Sequence, residues 1–366
     1  MALSHSIEAR PIENRYARGW HCLGLAADYK DRKPHTLNAF GTCLVAFAGE
    51  DGQVHLLDGV CPHMGGDLSR GTVQGNSIVC PFHRWSWGGD GVCNRIPYSK
   101  RIPSNAVVKS WPVCEENKLL FVWNDPENKP PPPEVAIPRI AAAFSEEWGD
   151  WVVEKWTINT NCRELIDNVS DMAHFAAVHH VPIDYFANVF EGHKATQVMV
   201  GKSLNPTAEG RLTTRATYFG PAYQITEMSG SMGGFPVASI LLNCHIPITL
   251  NSFDLRFGML VKRLPGLSDE ENRQVIQTYV RLIQQGFYED VAVWDHKVRV
   301  DNPLLCDRDG PIYHLRRWYQ QFYVNADEIP EATCQRRVFE LNEGLGHTPQ
   351  LHHVFEDQPR ATVPML

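Results

Sequence analysis

Cys61-Pro62-His63 and Cys80-Pro81-Phe82-His83, with sixteen residues between the pairs, decide how this chain is read. Two thiolates and two imidazoles offered in this order suit an asymmetric [2Fe–2S] cluster, with Cys61 and Cys80 on one iron and His63 and His83 on the other. Neutral nitrogens in place of two anionic sulfurs raise the potential above that of an all-cysteine cluster, which makes a one-electron relay. A Cys2His2 zinc site uses the same ligand types. Zinc fingers, however, pair Cys with Cys and His with His along the chain, whereas each arm here carries one of each. Pro62, Gly65, Gly66, Pro81, Gly88, Gly89 and Gly91 surround the arms. Small, turn-forming residues fit two loops closing on a cluster, because the backbone must approach the sulfides closely.

Around the arms the pattern is β-rich. Thr42–Ala48, Gln53–Asp58 and Lys118–Trp123 read as strands, with a hairpin turn at Glu50-Asp51-Gly52. The run Asn124–Pro133 ends in four consecutive prolines and reads as a semi-rigid spacer. Beyond it, 151–158 reads as a strand, 163–180 as one helix stopped by Val181-Pro182, and 196–263 as an antiparallel sheet. Ser268-Asp269-Glu270-Glu271 is a capping box opening a long helix that runs to about Val298. The fold class expected is α+β, divided into 15–125 (the all-β cluster domain), 126–138 (linker), 139–345 (second domain) and 346–366 (tail). The tail histidines His347, His352 and His353 read as solvated.

Bulk properties exclude several classes. The chain has 366 residues, enough for two cores, and a net charge of −8 with no Lys/Arg run that would track phosphates, so a nucleic-acid partner is not expected. No uninterrupted apolar stretch of about 18 residues suggests a membrane span. The N-terminus lacks the apolar segment of an export signal and the ten cysteines are scattered, which predicts reduced thiols and a cytoplasmic protein. Cys22, Cys43, Cys114, Cys162, Cys244, Cys306 and Cys334 read as small core residues, and Cys93 carries no ligand role.

A second metal site is suggested by Asn168-x-x-Asp171-x-x-His174-x-x-x-x-His179. Two histidines and a carboxylate on one face of a metal form the facial triad of non-haem Fe(II) oxygenases. A buried helix with two satisfied histidines is the bland alternative. Residues five apart lie roughly 140° apart on an ideal helix, so both histidines reach one metal only if the helix is distorted or ends between them. His180 competes with His179. The carboxylate candidates are Asp290, Asp295 and Asp301. Asp290 is preferred because Phe287 and Trp294 flank it on one apolar face, where a carboxylate is costly to bury without a cation. Asp171 stands beside His174 as a carboxylate that would fix its tautomer.

With both sites located, the chain resembles the Rieske non-haem iron oxygenases from about Arg15 to about Val324. It is closer still to the branch formed by the oxygenase component of 3-ketosteroid 9α-hydroxylase. That likeness is carried by Arg15–Gly24, His63–Ser69, Asp167–Phe175, Asn188–His193, Asn243–His245, Asn251–Phe253, Asp301–Leu305, Arg316–Tyr319 and Gln321–Tyr323. The resemblance implies a C-terminal helix-grip catalytic domain, a Rieske cluster, mononuclear Fe(II), O2 as co-substrate, and a head-to-tail homotrimer. In such a trimer Asp171 would carry the electron from His83 of a neighbouring subunit. It also implies a separate flavin and [2Fe–2S] reductase, and this chain has no dinucleotide fingerprint of its own. His179 is favoured as second ligand on the family spacing, and Asn168 and Asp171 take catalytic places. Gln197, Tyr218, Asn243, Phe287 and Trp294 would line a steroid pocket. Met228–Pro236 departs from the branch, and the 200–211 loop is short, so the far end of the substrate is where selectivity would differ. The rival functions are desaturation or demethylation of another apolar compound, and a pure Rieske electron carrier.

Overall fold

The computed structural model describes residues 15–206, 209–297, 299–346 and 348–351. His347, His352, His353 and Val298 lie outside them. In chain order the first strands are β1 (Gly19–Leu25), β2 (His35–Ala39), β3 (Thr42–Ala48), β4 (Val54–Asp58), β5 (Thr72–Gln74), β6 (Ser77–Val79), β7 (Ser86–Gly88), β8 (Cys93–Arg95), β9 (Val113–Glu116) and β10 (Leu119–Asn124). They form three antiparallel sheets, ordered β1-β10-β9, β2-β3-β4 and β5-β6-β7-β8. β3 shows why the region is all-β. Its alternate residues Leu44, Ala46 and Ala48 pack with Leu56, Trp111 and Val122. Val45 and Phe47, on its other face, pack with Leu57, Cys61, Cys80 and Trp87 under the cluster loops.

The segment after the proline run packs against both halves of the chain. Asn117, buried in the β9–β10 turn at φ +56°, donates from Nδ2 to the Pro138 carbonyl at 2.8 Å and accepts from the Ile140 N–H at 2.7 Å. Ile137, Ile140 and Ala143 then join Trp20, Phe121 and Trp123 on one side and Tyr223, Ile225 and Leu242 on the other in a single core. The chain after the prolines is therefore fastened to both halves.

The C-terminal half is one antiparallel sheet with helices on it, and the α+β, helix-grip expectation holds. Its elements are β11 (Val152–Ile158), α1 (Arg163–Ile166), α2 (Ala173–Ala177), β12 (Ile183–Glu191), β13 (Lys194–Ser203), β14 (Gly210–Phe219), β15 (Tyr223–Met232), β16 (Phe235–Thr249), β17 (Ser252–Val261), α3 (Asp269–Trp294), α4 (Ile312–Gln320), α5 (Glu331–Cys334) and β18 (Arg337–Asn342). The strand order is β11-β17-β16-β15-β14-β13-β12-β18. The Ser268–Glu271 capping box is formed on both sides, and α3 ends at Trp294, a turn earlier than expected. α3 buries Ile276, Tyr279, Val280, Phe287, Asp290 and Trp294 against the sheet, at helical spacing. Among the described residues no helix is long and apolar enough to cross a membrane. All ten cysteines are free; Cys306 and Cys334 are exposed, correcting the expectation that they sit in the core.

The single helix expected over 163–180 is broken. A 3-10 turn, Asp167–Val169, follows α1, and α2 starts only at Ala173. The Asp171 carboxylate accepts the His174 backbone N–H at 3.2 Å and so restarts the helix. At the other end the Val181 N–H reaches back to the Phe175 carbonyl at 2.9 Å, and His180 takes a left-handed φ of +56°. The helix thus ends between His174 and His179.

Candidate metal centres and pocket

That break solves the problem of helical spacing. With His179 outside the helix, its ring centroid lies 5.3 Å from that of His174. Asp290, from the last turn of α3, brings Oδ2 to 3.3 Å from His179 Nε2. One ligand atom from each of His174, His179 and Asp290 falls within 4.8 Å of the others, a set that could hold a metal ion. The ring nitrogens are assigned by their neighbours. His174 Nδ1 faces the Asp171 carbonyl oxygen, which can only accept, so Nδ1 carries the proton and Nε2 keeps its lone pair for a metal. The group fixing this tautomer is the backbone carbonyl of Asp171; its carboxylate caps the helix instead and stays 3.9 Å from Nδ1. His179 turns Nδ1 to Glu289, 3.8 Å from Oε2.

Electrostatics fits a cation here. Burial lowers the pKa of His174, against the pull of Asp290 and Asp171. Burial also disfavours protonated His179, but the hydrogen bond and charge of Asp290, with Glu289, outweigh it and raise the pKa. A carboxylate and two imidazoles held this closely away from water want a positive charge among them. Of the other acids considered, Asp295 accepts the Asn159 N–H at 3.2 Å and Asp301 pairs with Arg299 at 3.4 Å, so both are engaged elsewhere. His180 is exposed at the rim.

The triad forms part of the wall of a cavity of about 280 Å³ between α3 and the sheet. Asn168, Gln197, Tyr218, Asn243, Phe287 and Trp294 all line it, while Asp171 does not. The strand register explains the polar rows. Gln197 pairs with Ala216 and Ala216 with Thr226; Tyr218 pairs with Gln224 and Gln224 with Asn243. These alternate residues share the face beneath α3. Met228, Gly230 and Ser231 also line the cavity, so the stretch that departs in sequence contributes to its wall.

The Cys-His arms repeat one backbone design. The Cys61 N–H donates to the Gly66 carbonyl and the Gly65 N–H to the Cys61 carbonyl; the Cys80 N–H donates to Trp85 and the Arg84 N–H to Cys80. Gly65 and Arg84 occupy matching left-handed positions, φ +75° and +62°. A Cβ on Gly66 would stand 2.8 Å from Cys80 Sγ, so only glycine fits there. The His63 and His83 centroids are 4.7 Å apart, and His63 stacks on Trp85 at 4.4 Å. Burial, reinforced by Cys80, pushes the Cys61 thiol up to about 11. Buried Trp87 Nε1 has no oxygen or nitrogen partner, and its indole N–H pulls the Cys61 pKa the other way. Two buried sulfurs and an indole N–H turned to one of them fit an Fe–S cluster.

Comparison with known proteins gives both halves of the chain a family. Residues 19–112 match the Rieske [2Fe-2S] domain, and residues 122–323 match the 3-ketosteroid 9alpha-hydroxylase C-terminal domain. The chain belongs to the 3-ketosteroid 9α-hydroxylase family of Rieske proteins. It is 48% identical to a 3-ketosteroid-9-alpha-monooxygenase oxygenase component of Rhodococcus rhodochrous, over 90% of this chain and 85% of that protein. The identity to the Mycobacterium tuberculosis protein of the same description is 47%, over 92% and 89%. Dicamba monooxygenase bound to dicamba shares the fold at a TM-score of 0.67, with 20% identity over 84% of this chain and 97% of that one.

The segment that carries Asn168 and leads to His174 is braced by buried charge. Asp167, one residue before Asn168, is held by Arg316 through Nε at 3.0 Å and Nη2 at 2.7 Å, and by Lys297 at 3.0 Å. Glu164, 1% exposed, meets Arg299 at 3.2 Å and Lys297 at 3.5 Å. Burial alone would raise the Asp167 pKa, but the bonds from Arg316 and Lys297 leave it below its ordinary 3.8. Its stabilisation is therefore present above that value and lost as pH falls through the lowered one. Arg316→Ala leaves the buried Asp167 carboxylate with Lys297 alone and is expected to cost up to about 3 kcal/mol, read as a lower midpoint in urea unfolding. Sequence reasoning missed this network and Glu289. A helix-surface pattern hides Glu289, and nothing local links Asp167 to a residue in α4.

Proposed function

We propose that this chain is the terminal oxygenase of a multicomponent monooxygenase that hydroxylates a 3-oxo steroid at C9, within steroid degradation. The observation that carries this is the triad His174, His179 and Asp290 in the wall of a mostly apolar cavity, in a chain whose other half carries the Cys-His arms. A pure electron carrier has no use for such a cavity. Bound iron at the triad would supply O2 activation, and the cluster would supply single electrons.

The residues of the chain do the rest. His174 presents an imidazole nitrogen whose ring proton is kept on the far side, at the Asp171 carbonyl, and His179 turns its other nitrogen towards the charge of Glu289. Phe287 and Trp294, edge to face at 5.7 Å, form a rigid wall against a flat, rigid substrate. Asn243 offers an amide in the wall whose oxygen is buried without a partner, a polar anchor among apolar neighbours. Holding the steroid carbon beside the metal is the main contribution asked of this wall.

Electrons enter from a separate NAD(P)H-dependent flavin and [2Fe–2S] reductase, and we infer a head-to-tail homotrimer in the cytoplasm. Two exposed apolar patches support the trimer. Met64 (62% exposed) and Phe82 (58%) flank the cluster histidines, and Leu304 is fully exposed on a loop whose Gly310 abuts the Ser170 carbonyl, next to Asp171. The test is turnover. Protein supplied with a ferredoxin-type reductase, NADH and androst-4-ene-3,17-dione is expected to release the 9α-hydroxylated steroid, identified by mass spectrometry and NMR. NADH consumption without hydroxylated steroid, or oxidation at another carbon only, would refute the reading.

A further inference from the structure

Trp294 lines the cavity, and its polar atom is engaged by a neighbouring side chain. Its Nε1 donates to Asn168 Oδ1 at 3.3 Å, and Asn168 Nδ2 donates to Asp290 Oδ1 at 3.3 Å. The orientation of the amide is fixed by chemistry. An indole N–H only donates, so it must face the amide oxygen; the NH2 is then left for the carboxylate, which only accepts. With Oδ1 taken up, Oδ2 is the oxygen turned to His179 Nε2 at 3.3 Å. Trp294 and Asp290 stand four residues apart on one face of α3, whereas Asn168 belongs to the 3-10 turn before the histidines. The relay therefore ties together the two elements that supply ligands. Trp294 is 2% exposed, so water does not compete for its N–H.

We propose that Trp294 is a positioning residue for the mononuclear metal, acting through Asn168 to aim the Asp290 carboxylate. This rests on the reading of His174, His179 and Asp290 as iron ligands. Without the indole N–H the Asn168 amide is free to turn, and its oxygen would then face a carboxylate oxygen. Partners of this kind behind a ligand typically change metal affinity by about 10- to 100-fold.

Trp294→Phe keeps an aromatic, though smaller, side chain in the wall and removes the donor. Protein loaded with Fe(II) anaerobically is exposed to a ferrous chelator, and iron loss is followed beside the cluster absorption. The ferrous nitrosyl EPR signal reports ligand geometry independently of turnover. The variant is expected to lose mononuclear iron about 10- to 100-fold more readily, with a broadened nitrosyl signal and unchanged cluster absorption. Wild-type iron retention with a raised KM would overturn the proposal and leave Trp294 as pocket wall. Should Trp294→Phe lose its cluster absorption, Asn168→Leu decides by the same criterion, since it removes both bonds of the relay. Wild-type protein that never takes up this iron would overturn the ligand reading and the proposal together.

Discussion

His174→Ala is expected to empty the mononuclear site and abolish hydroxylation while leaving the cluster spectrum of the wild type. His174 offers Nε2 to the metal because Nδ1 is committed to the Asp171 carbonyl. No neighbouring side chain can take its place: His180 lies exposed at the rim, and Glu289 stands behind His179. Loss of one ligand of three removes several kcal/mol of metal-derived stabilisation. At 1.4 kcal/mol per tenfold in rate, turnover should fall by about a thousandfold or more. The cluster arms pack in a separate core with Phe47, Leu57 and Trp87, so their absorption should not move. Iron analysis and visible spectra on one sample check both halves. Loss of the cluster together with the mononuclear iron would show that the two sites are not structurally independent.

Asp171→Asn is expected to slow product formation by about 10- to 100-fold with the iron retained. Asp171 accepts the His174 backbone N–H and supplies the carbonyl to Nδ1, yet its carboxylate is 38% exposed and does not line the cavity. An amide keeps the cap, because Asn also accepts that N–H, and keeps the carbonyl. What it removes is a charge facing outwards, where the cluster of a neighbouring subunit would dock. The prediction therefore separates a role in electron delivery from a role in metal binding. In stopped flow, the reduced cluster should regain its oxidised absorption slowly in the variant when substrate and O2 are added. Full-speed cluster oxidation would place the effect elsewhere.

Much of the frame was legible because local patterns carried it. β3, β4 and β10 are short apolar runs bounded by turn residues and so could be read as strands, and Ser268 with Glu271 announced the start of α3. Asp290 could be picked because a carboxylate between Phe287 and Trp294 on one helical face is costly without a cation. The helix end between His174 and His179 was foreseen only as a geometric necessity, and the break between α1 and α2 not at all. Their causes are the Asp171 cap, the left-handed His180 and the Asp167–Arg316 pair, which spans 149 positions. The relay through Asn168 to Trp294 spans 126. No periodicity or spacing reports such pairs. Trp294 therefore read as a substrate contact, although its polar atom serves the ligand shell. The packing of the chain after the proline run was not legible, because its partner, Asn117, lies in the distant β9–β10 turn.

One measurement bears most directly on two metal centres in one chain: iron and acid-labile sulfide counted on protein purified without oxygen and loaded with Fe(II). About three irons and two sulfides per chain are predicted, from one cluster and one mononuclear site. Two irons with two sulfides would leave the cavity without its metal, and zinc without sulfide would remove the cluster; either result contradicts an oxygenase.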